Sequence, residues 1–146
     1  MRALLQRVSS AAVAVEGEVV GEIERGLVVF LALEPHDTRA AGKTLLDRVL
    51  RYRVFSDSEG RMNRSLRDVG GGLLLVSQFT LAADTTRGLR PSFSSAMAPA
   101  EAAVLFDELL ADLQAMHAPV AAGRFGADMQ VSLCNDGPVT FLLQGA

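Results

Sequence analysis

Gly70-Gly71-Gly72-Leu73-Leu74-Leu75-Val76-Ser77-Gln78-Phe79-Thr80 is the stretch on which the fold turns. Four consecutive large apolar residues after a glycine run have no period of two, so both faces of this segment must be covered, as in a strand inside a layered α/β domain. A second run, Leu27 to Leu33, opens after Gly26 and reads the same way. At seven residues it is far short of the roughly 18 needed to cross a bilayer.

Outward from these runs the signals alternate. Ala3 to Val8, Ala12 to Val15 and Glu18 to Ile23 read as strands, the last two joined at Glu16-Gly17 in a hairpin pattern. After Pro35, Asp37 or Thr38 caps a helix that runs to about Tyr52, with Leu45, Leu46, Val49 and Leu50 at helical spacing. Val54-Phe55 is a short strand before the turn-rich Ser56 to Gly60. A Gly- and Pro-containing loop covers Ala82 to Ala98; Pro99 then begins a second helix to Met116, predicted to bury Val104, Leu105, Leu109 and Leu113. Met129 to Cys134 and Val139 to Leu143 read as two last strands around a turn at Asn135-Asp136-Gly137-Pro138. The 146 residues, with 49% apolar and 21% charged side chains, give one compact α/β domain spanning residues 1–146. Its sheets are mixed and largely antiparallel, with two main helices packed on one face.

Composition excludes several chemistries. One cysteine, Cys134, and two separated histidines supply no soft-ligand set, so no metal or other cofactor is expected. No phosphate-binding or nucleophile-elbow motif is present, and the triple glycine lacks the lysine that would hold phosphates. Arg7 interrupts what a signal peptide would need as its apolar stretch, so a cytoplasmic protein without membrane association is expected. Net charge is −3, but residues 43–90 carry nine basic against five acidic side chains while the flanks are acidic. That middle third is either a set of solvated arginine faces or a surface for a localised anionic partner.

Two segments remain. Ser77-Gln78-Phe79-Thr80 puts hydroxyls and an amide where a buried strand emerges, a place for turn residues and equally for a ligand site. Gly137-Pro138 is an ordinary turn or, if cis, a rigid element offering two carbonyl oxygens with almost no side chain.

Ser77 to Leu81, Ala83-Asp84, Arg87 to Phe93, Gly123 to Val131 and Asn135 to Thr140 resemble, in order and spacing, the D-aminoacyl-tRNA deacylase family (D-tyrosyl-tRNA(Tyr) deacylases). Gln6-Arg7-Val8, Val15-Glu16-Gly17 and Arg53 to Asn63 fit as well, so the resemblance runs end to end. It implies a tRNA-binding hydrolase that cleaves the ester of D-aminoacyl-tRNA and rejects the L form, working as a homodimer with active sites at the subunit interface. Glycyl-tRNA, lacking a side chain to reject, is expected to be cleaved too. Ser77, Gln78, Phe79 and Thr80 match the catalytic pocket motif, with N-H groups near Phe79 and Thr80 as oxyanion donors. Gly137 and Pro138 match the Gly-cisPro element that reaches into the partner's pocket, Arg7 the arginine that orients it, and Phe125 and Met129 are expected to line the adenosine pocket. The terminal 2′-hydroxyl of the tRNA is expected to assist. Two alternatives stay open: a module that binds the aminoacyl-tRNA end without cleaving it, and an esterase with Thr80 as nucleophile.

Overall fold

The computed structural model describes residues 1–145. The chain order is β1 (Arg2–Val15), β2 (Glu18–Ile23), β3 (Gly26–Ala32), α1 (Arg39–Arg51), β4 (Arg53–Ser56), β5 (Met62–Ser65), α2 (Leu66–Val69), β6 (Gly72–Ser77), α3 (Pro99–Met116), β7 (Val120–Ala122) and β8 (Gln130–Gln144). A 3-10 turn, Phe79–Ala82, follows β6.

The main sheet is mixed. β1 pairs antiparallel with β2, β3 and β8, while β3, β6 and β7 are parallel neighbours. β4 and β5 form a separate antiparallel ribbon. Glu16 and Gly17, both at positive φ, turn β1 into β2. The two apolar runs lie side by side, Gly26 to Leu31 against Gly72 to Ser77, and so must be covered on both faces. Odd-numbered Leu27, Val29, Leu31, Leu73 and Leu75 meet α1 and α3 in the larger core. Even-numbered Val28, Leu74 and Val76 meet Val8, Val13 and Ile23 in a smaller second core. There β2 crosses so close to β7 that a Cβ on Gly21 would stand 2.4 Å from the carbonyl oxygen of Ala122.

Local signals explain the helices. Thr38 Oγ1 accepts from the N-H of Ala41 to start α1, and Pro99 occupies the first turn of α3. α3 buries Ala102, Leu105, Phe106, Leu109 and Leu113, whereas Val104 points to solvent at 60% exposure. Its predicted burial is therefore corrected: the helix is rotated so that Phe106, not Val104, meets the core.

Two further expectations change. The strands read as Ala3–Val8 and Ala12–Val15 are one strand, β1, kept continuous by pairing along its whole length with β8. The strands read at Met129–Cys134 and Val139–Leu143 are likewise one strand. Asn135 to Pro138 does not reverse the chain, because both halves of β8 run antiparallel to the same β1. Where Gln6 pairs with Thr140 and Val8 with Asn135, Arg7 alone faces Asp136, Gly137, Pro138 and Val139, so β8 bulges outward there. β5 and α2 carry no period long enough to be read from sequence.

Candidate active site

β6 ends beside β3, and Gln78 N-H donates to the carbonyl oxygen of Leu31 at 2.8 Å, the last rung before the chain leaves the sheet. At that end a cavity of about 410 Å³ opens between the strand ends and the start of α3. Ser77 and Gln78 are the polar side chains of its lining; Leu31, Leu33, Phe79, Met97, Ala102, Phe106 and Phe125 are among its apolar walls. Phe125 stands 5.7 Å from Phe106, ring to ring, and Phe79, 57% exposed, leans on Phe93 at 5.0 Å. Apolar walls with a few convergent polar groups suit a ligand of drug-like size.

The loop after the 3-10 turn is pinned at its base. Asp84 and Ser92 exchange two backbone hydrogen bonds at 2.8 and 3.0 Å, and Met97 N-H donates to Leu33 O at 3.0 Å. Thr86 donates from its hydroxyl and its backbone N-H to the Asp84 carboxylate, which holds that carboxyl below the ordinary range. Phe93, Ala96 and Met97 thereby reach the cavity wall. None of the three stands out in the sequence, because a loop has no period; only the spacing around Pro91-Ser92-Phe93 hints at it.

Thr80 is exposed in the first turn of the 3-10 helix, outside the cavity lining, and its hydroxyl accepts a hydrogen bond from Gln78 Nε2. Neither histidine is a hydrogen-bond partner of Thr80: His117 Nε2 lies 2.7 Å from Gly71 O, at the opposite end of β6, and His36 belongs to the β3–α1 connection. Among the described residues, no three His, Cys, Asp or Glu side chains gather as metal ligands.

Gly137, Pro138 and Arg7 lie elsewhere. Arg7 pairs with Leu27, at the start of β3, whereas the cavity is at Leu31 and Leu33. At about 3.3 Å per residue these levels are about 13 Å or more apart along β3, and Arg7, Gly137 and Pro138 are not among the residues that line the cavity. The Gly137-Pro138 peptide is cis, and both residues are exposed. The bulge is braced from within. Arg7 donates from Nε to Asp136 O at 2.9 Å and from Nη1 to Val54 O at 2.7 Å. Asn135 donates from Nδ2 to Arg7 O and Val139 O at 2.8 and 3.0 Å and accepts from Val139 N at 3.2 Å. Sequence alone does not single out this bracing role, since Asn135 reads there as one turn residue among four. Met129 is not among the residues lining this cavity; it packs with the second core, on the Val13 side of the sheet.

A strand end carrying hydroxyl and amide side chains, an apolar cavity beside it and an exposed bulge with a cis peptide stand together on one small α/β domain, the class of fold that places a pocket where strands end. Residues 4–144 match the profile of the D-Tyr-tRNA(Tyr) deacylase family, and the chain belongs to that family. Proteins called D-aminoacyl-tRNA deacylase from Pseudomonas putida (strain W619) and Pseudomonas fluorescens (strain Pf0-1) are each 66% identical over 144 residues, covering 99% of both chains. Among solved structures, one titled c-Myc DNA Unwinding Element Binding Protein superposes with a TM-score of 0.94 at 37% identity, over 99% of this chain and 98% of that one. A probable eukaryotic D-amino acid tRNA deacylase shares the fold at a TM-score of 0.85 and 17% identity, with 97% of each chain covered.

Proposed function

We propose that this protein hydrolyses the ester joining a D-amino acid to the terminal adenosine of tRNA, as a homodimer in which the Gly137-Pro138 bulge of one protomer enters the cavity of the other. Family membership and the curated relatives support the reaction. The observation that carries the assembly is the separation, within one chain, between a cavity open to solvent and an exposed, braced bulge that does not line it. Full-length agreement with relatives that act on aminoacyl-tRNA supports a cytoplasmic location, and no described helix is long and apolar enough to cross a membrane.

In this reading Ser77, Gln78, Phe79 and Phe125 hold the aminoacyl-adenosine end. Water adds to the ester carbonyl, the oxyanion accepts from the N-H groups of Phe79 and Thr80, and the carbonyl carbon–ribose oxygen bond then breaks. Those two N-H groups begin a helical turn, where no preceding turn supplies acceptors. The proton needed by the departing ribose oxygen comes by way of the vicinal 2′-hydroxyl, so the RNA supplies the acid-base group that the cavity lacks. The bulge discriminates by exclusion. Carbonyl oxygens and a side-chain-poor backbone on the side where an L side chain would project reject that hand by collision and unpaired polar atoms, leaving the other side free.

Deacylation of labelled D-tyrosyl-, L-tyrosyl- and glycyl-tRNA tests this. Loss of the D and glycyl labels, with the L ester untouched, is expected; label protected by the protein instead would make it an end-binding module. Activity on D-tyrosyl-tRNA with none on glycyl-tRNA would overturn rejection by bulk. A monomer that remains active would overturn the shared site.

A further inference from the structure

Beside the bulge lies a surface that the reaction does not use. Arg48, Arg51, Arg53, Arg64 and Arg67 are all exposed around the end of α1, the β4–β5 ribbon and α2. Two carboxylates sit among them: Asp47 takes both Arg51 and Arg67, at 2.8 and 3.3 Å, and Asp68 closes the Ser65 capping box. Arg64 reaches only a backbone oxygen, Asp68 O at 3.0 Å, and Arg53 has no ion-pair partner among the described residues. Two further acids, Asp57 and Glu59, stand at the ribbon tip, where Asp57 accepts from Asn63 and from the N-H groups of Glu59 and Arg61 and forms no ion pair with the five arginines. The patch is joined to the bulge directly. Arg7 donates both to Asp136 O in the bulge and to Val54 O in β4, while Arg48 stacks on Tyr52, which meets Phe141, three residues beyond Pro138.

We infer that this arginine surface binds the phosphate backbone of the acceptor arm whose 3′ end occupies the partner's cavity, so that each tRNA straddles two protomers. The inference rests on the shared-site reading above and adds to it a second contribution from the partner. A cavity of about 410 Å³ admits a terminal aminoacyl-nucleoside and leaves the duplex outside its mouth. If one protomer's bulge covers the other's mouth, the arginines fixed to that bulge border the RNA's exit, while Arg87 and Arg90, exposed in the loop that carries Phe93, border it from the cavity's own side. Guanidinium groups without full carboxylate partners suit phosphodiesters, which they bind without reading sequence.

The test is steady-state deacylation by an R53E/R64E variant on full-length D-tyrosyl-tRNA and on the D-tyrosyl ester of adenosine. On tRNA, KM is expected to rise roughly tenfold with kcat unchanged, and the salt dependence of kcat/KM to flatten by roughly 0.9 logarithmic units for each phosphate no longer held. The adenosine ester should be cleaved as by the parent. Unchanged tRNA kinetics, or equal losses on both substrates, would overturn the inference while a dimeric, D-specific parent keeps the shared site intact. If the double reversal does not fold, R51A/R53A is read in the same way. Mixed dimers with one cavity filled by Ala96→Trp then assign the side. A KM penalty is expected only when the reversal sits on the chain with the filled cavity; a penalty that follows the open cavity's own chain would overturn the straddling arrangement, as would sedimentation of the active protein as a monomer.

Discussion

Arg7 and Asp136, 129 positions apart in the chain, are bonded in the fold: the guanidinium Nε donates to the carbonyl oxygen of Asp136 at 2.9 Å, and the Asp136 carboxylate stands 3.5 Å away. The same side chain donates to Val54 O at 2.7 Å. One planar fork thus ties the bulge of β8 to β4, which a single ammonium on a shorter-reaching stem cannot do in the same geometry. If the bulge sorts the two hands as proposed, Arg7→Lys is expected to leave the fold intact, to keep kcat/KM on D-tyrosyl-tRNA within about tenfold of the parent and to raise cleavage of L-tyrosyl-tRNA roughly tenfold or more. Circular dichroism with deacylation kinetics checks both halves.

Asn135 makes a sharper case because both its amide atoms are used. Asp at this position would turn a carboxylate toward the carbonyl oxygens of Arg7 and Val139, which now receive two N-H bonds. Asn135→Asp should therefore be worse than Asn135→Ala. Losing these bonds costs about 1–3 kcal/mol, and the added repulsion should bring the fall in Tm of the aspartate variant to about 5 °C or more. Thermal melts of the two variants, compared side by side, decide it.

Among the described residues Thr80 has no hydrogen bond to a histidine or carboxylate; its hydroxyl is the acceptor of the Gln78 amide. Thr80→Ala is accordingly expected to keep kcat within about tenfold of the parent. Replacing the terminal 2′-hydroxyl of the substrate by hydrogen should remove roughly a hundredfold or more, as for a lost acid-base group. A loss near a millionfold on Thr80→Ala would instead mark a covalent nucleophile.

Gly26 and Gly60 separate two reasons for glycine. A Cβ on Gly26 would fall 1.8 Å from the carbonyl oxygen of Gly72 in the neighbouring parallel strand, with backbone on backbone and nothing able to yield. Gly26→Ala is expected to cost about 4 kcal/mol or more, or to abolish soluble expression. Gly60, at φ +79° with open space around it, should lose only about 1 kcal/mol on the same change, through backbone strain alone. Urea unfolding of the two variants measures the difference.

The buried runs Leu27 to Leu31 and Leu73 to Val76 are legible because burial on both faces leaves an uninterrupted apolar signature, and α1 because Thr38 caps a clear helical period. Val104 reads wrongly as buried because α3 is apolar over much of its surface, so the sequence does not mark which stripe faces inward. The bulge in β8 reads as a turn because Asn-Asp-Gly-Pro is turn chemistry; only the partner strand reveals that the chain continues in its original direction. Of the site, Ser77, Gln78 and Phe79 of the strand-end motif are brought together with Phe125, and Thr80 is left outside, while Phe93 and Met97 arrive through loop closure, which leaves no periodic trace.

β1 is hydrogen-bonded to three strands, and the bulge hangs on its Arg7. On the reading proposed above, the bulge sorts mirror images and must hold its position to a fraction of an ångström, whereas water attack on an activated ester forgives more. Gradual loosening of this strand, by heat or by substitution, would then corrupt fidelity first, and the protein would begin to destroy correctly charged tRNA while it still turned over quickly.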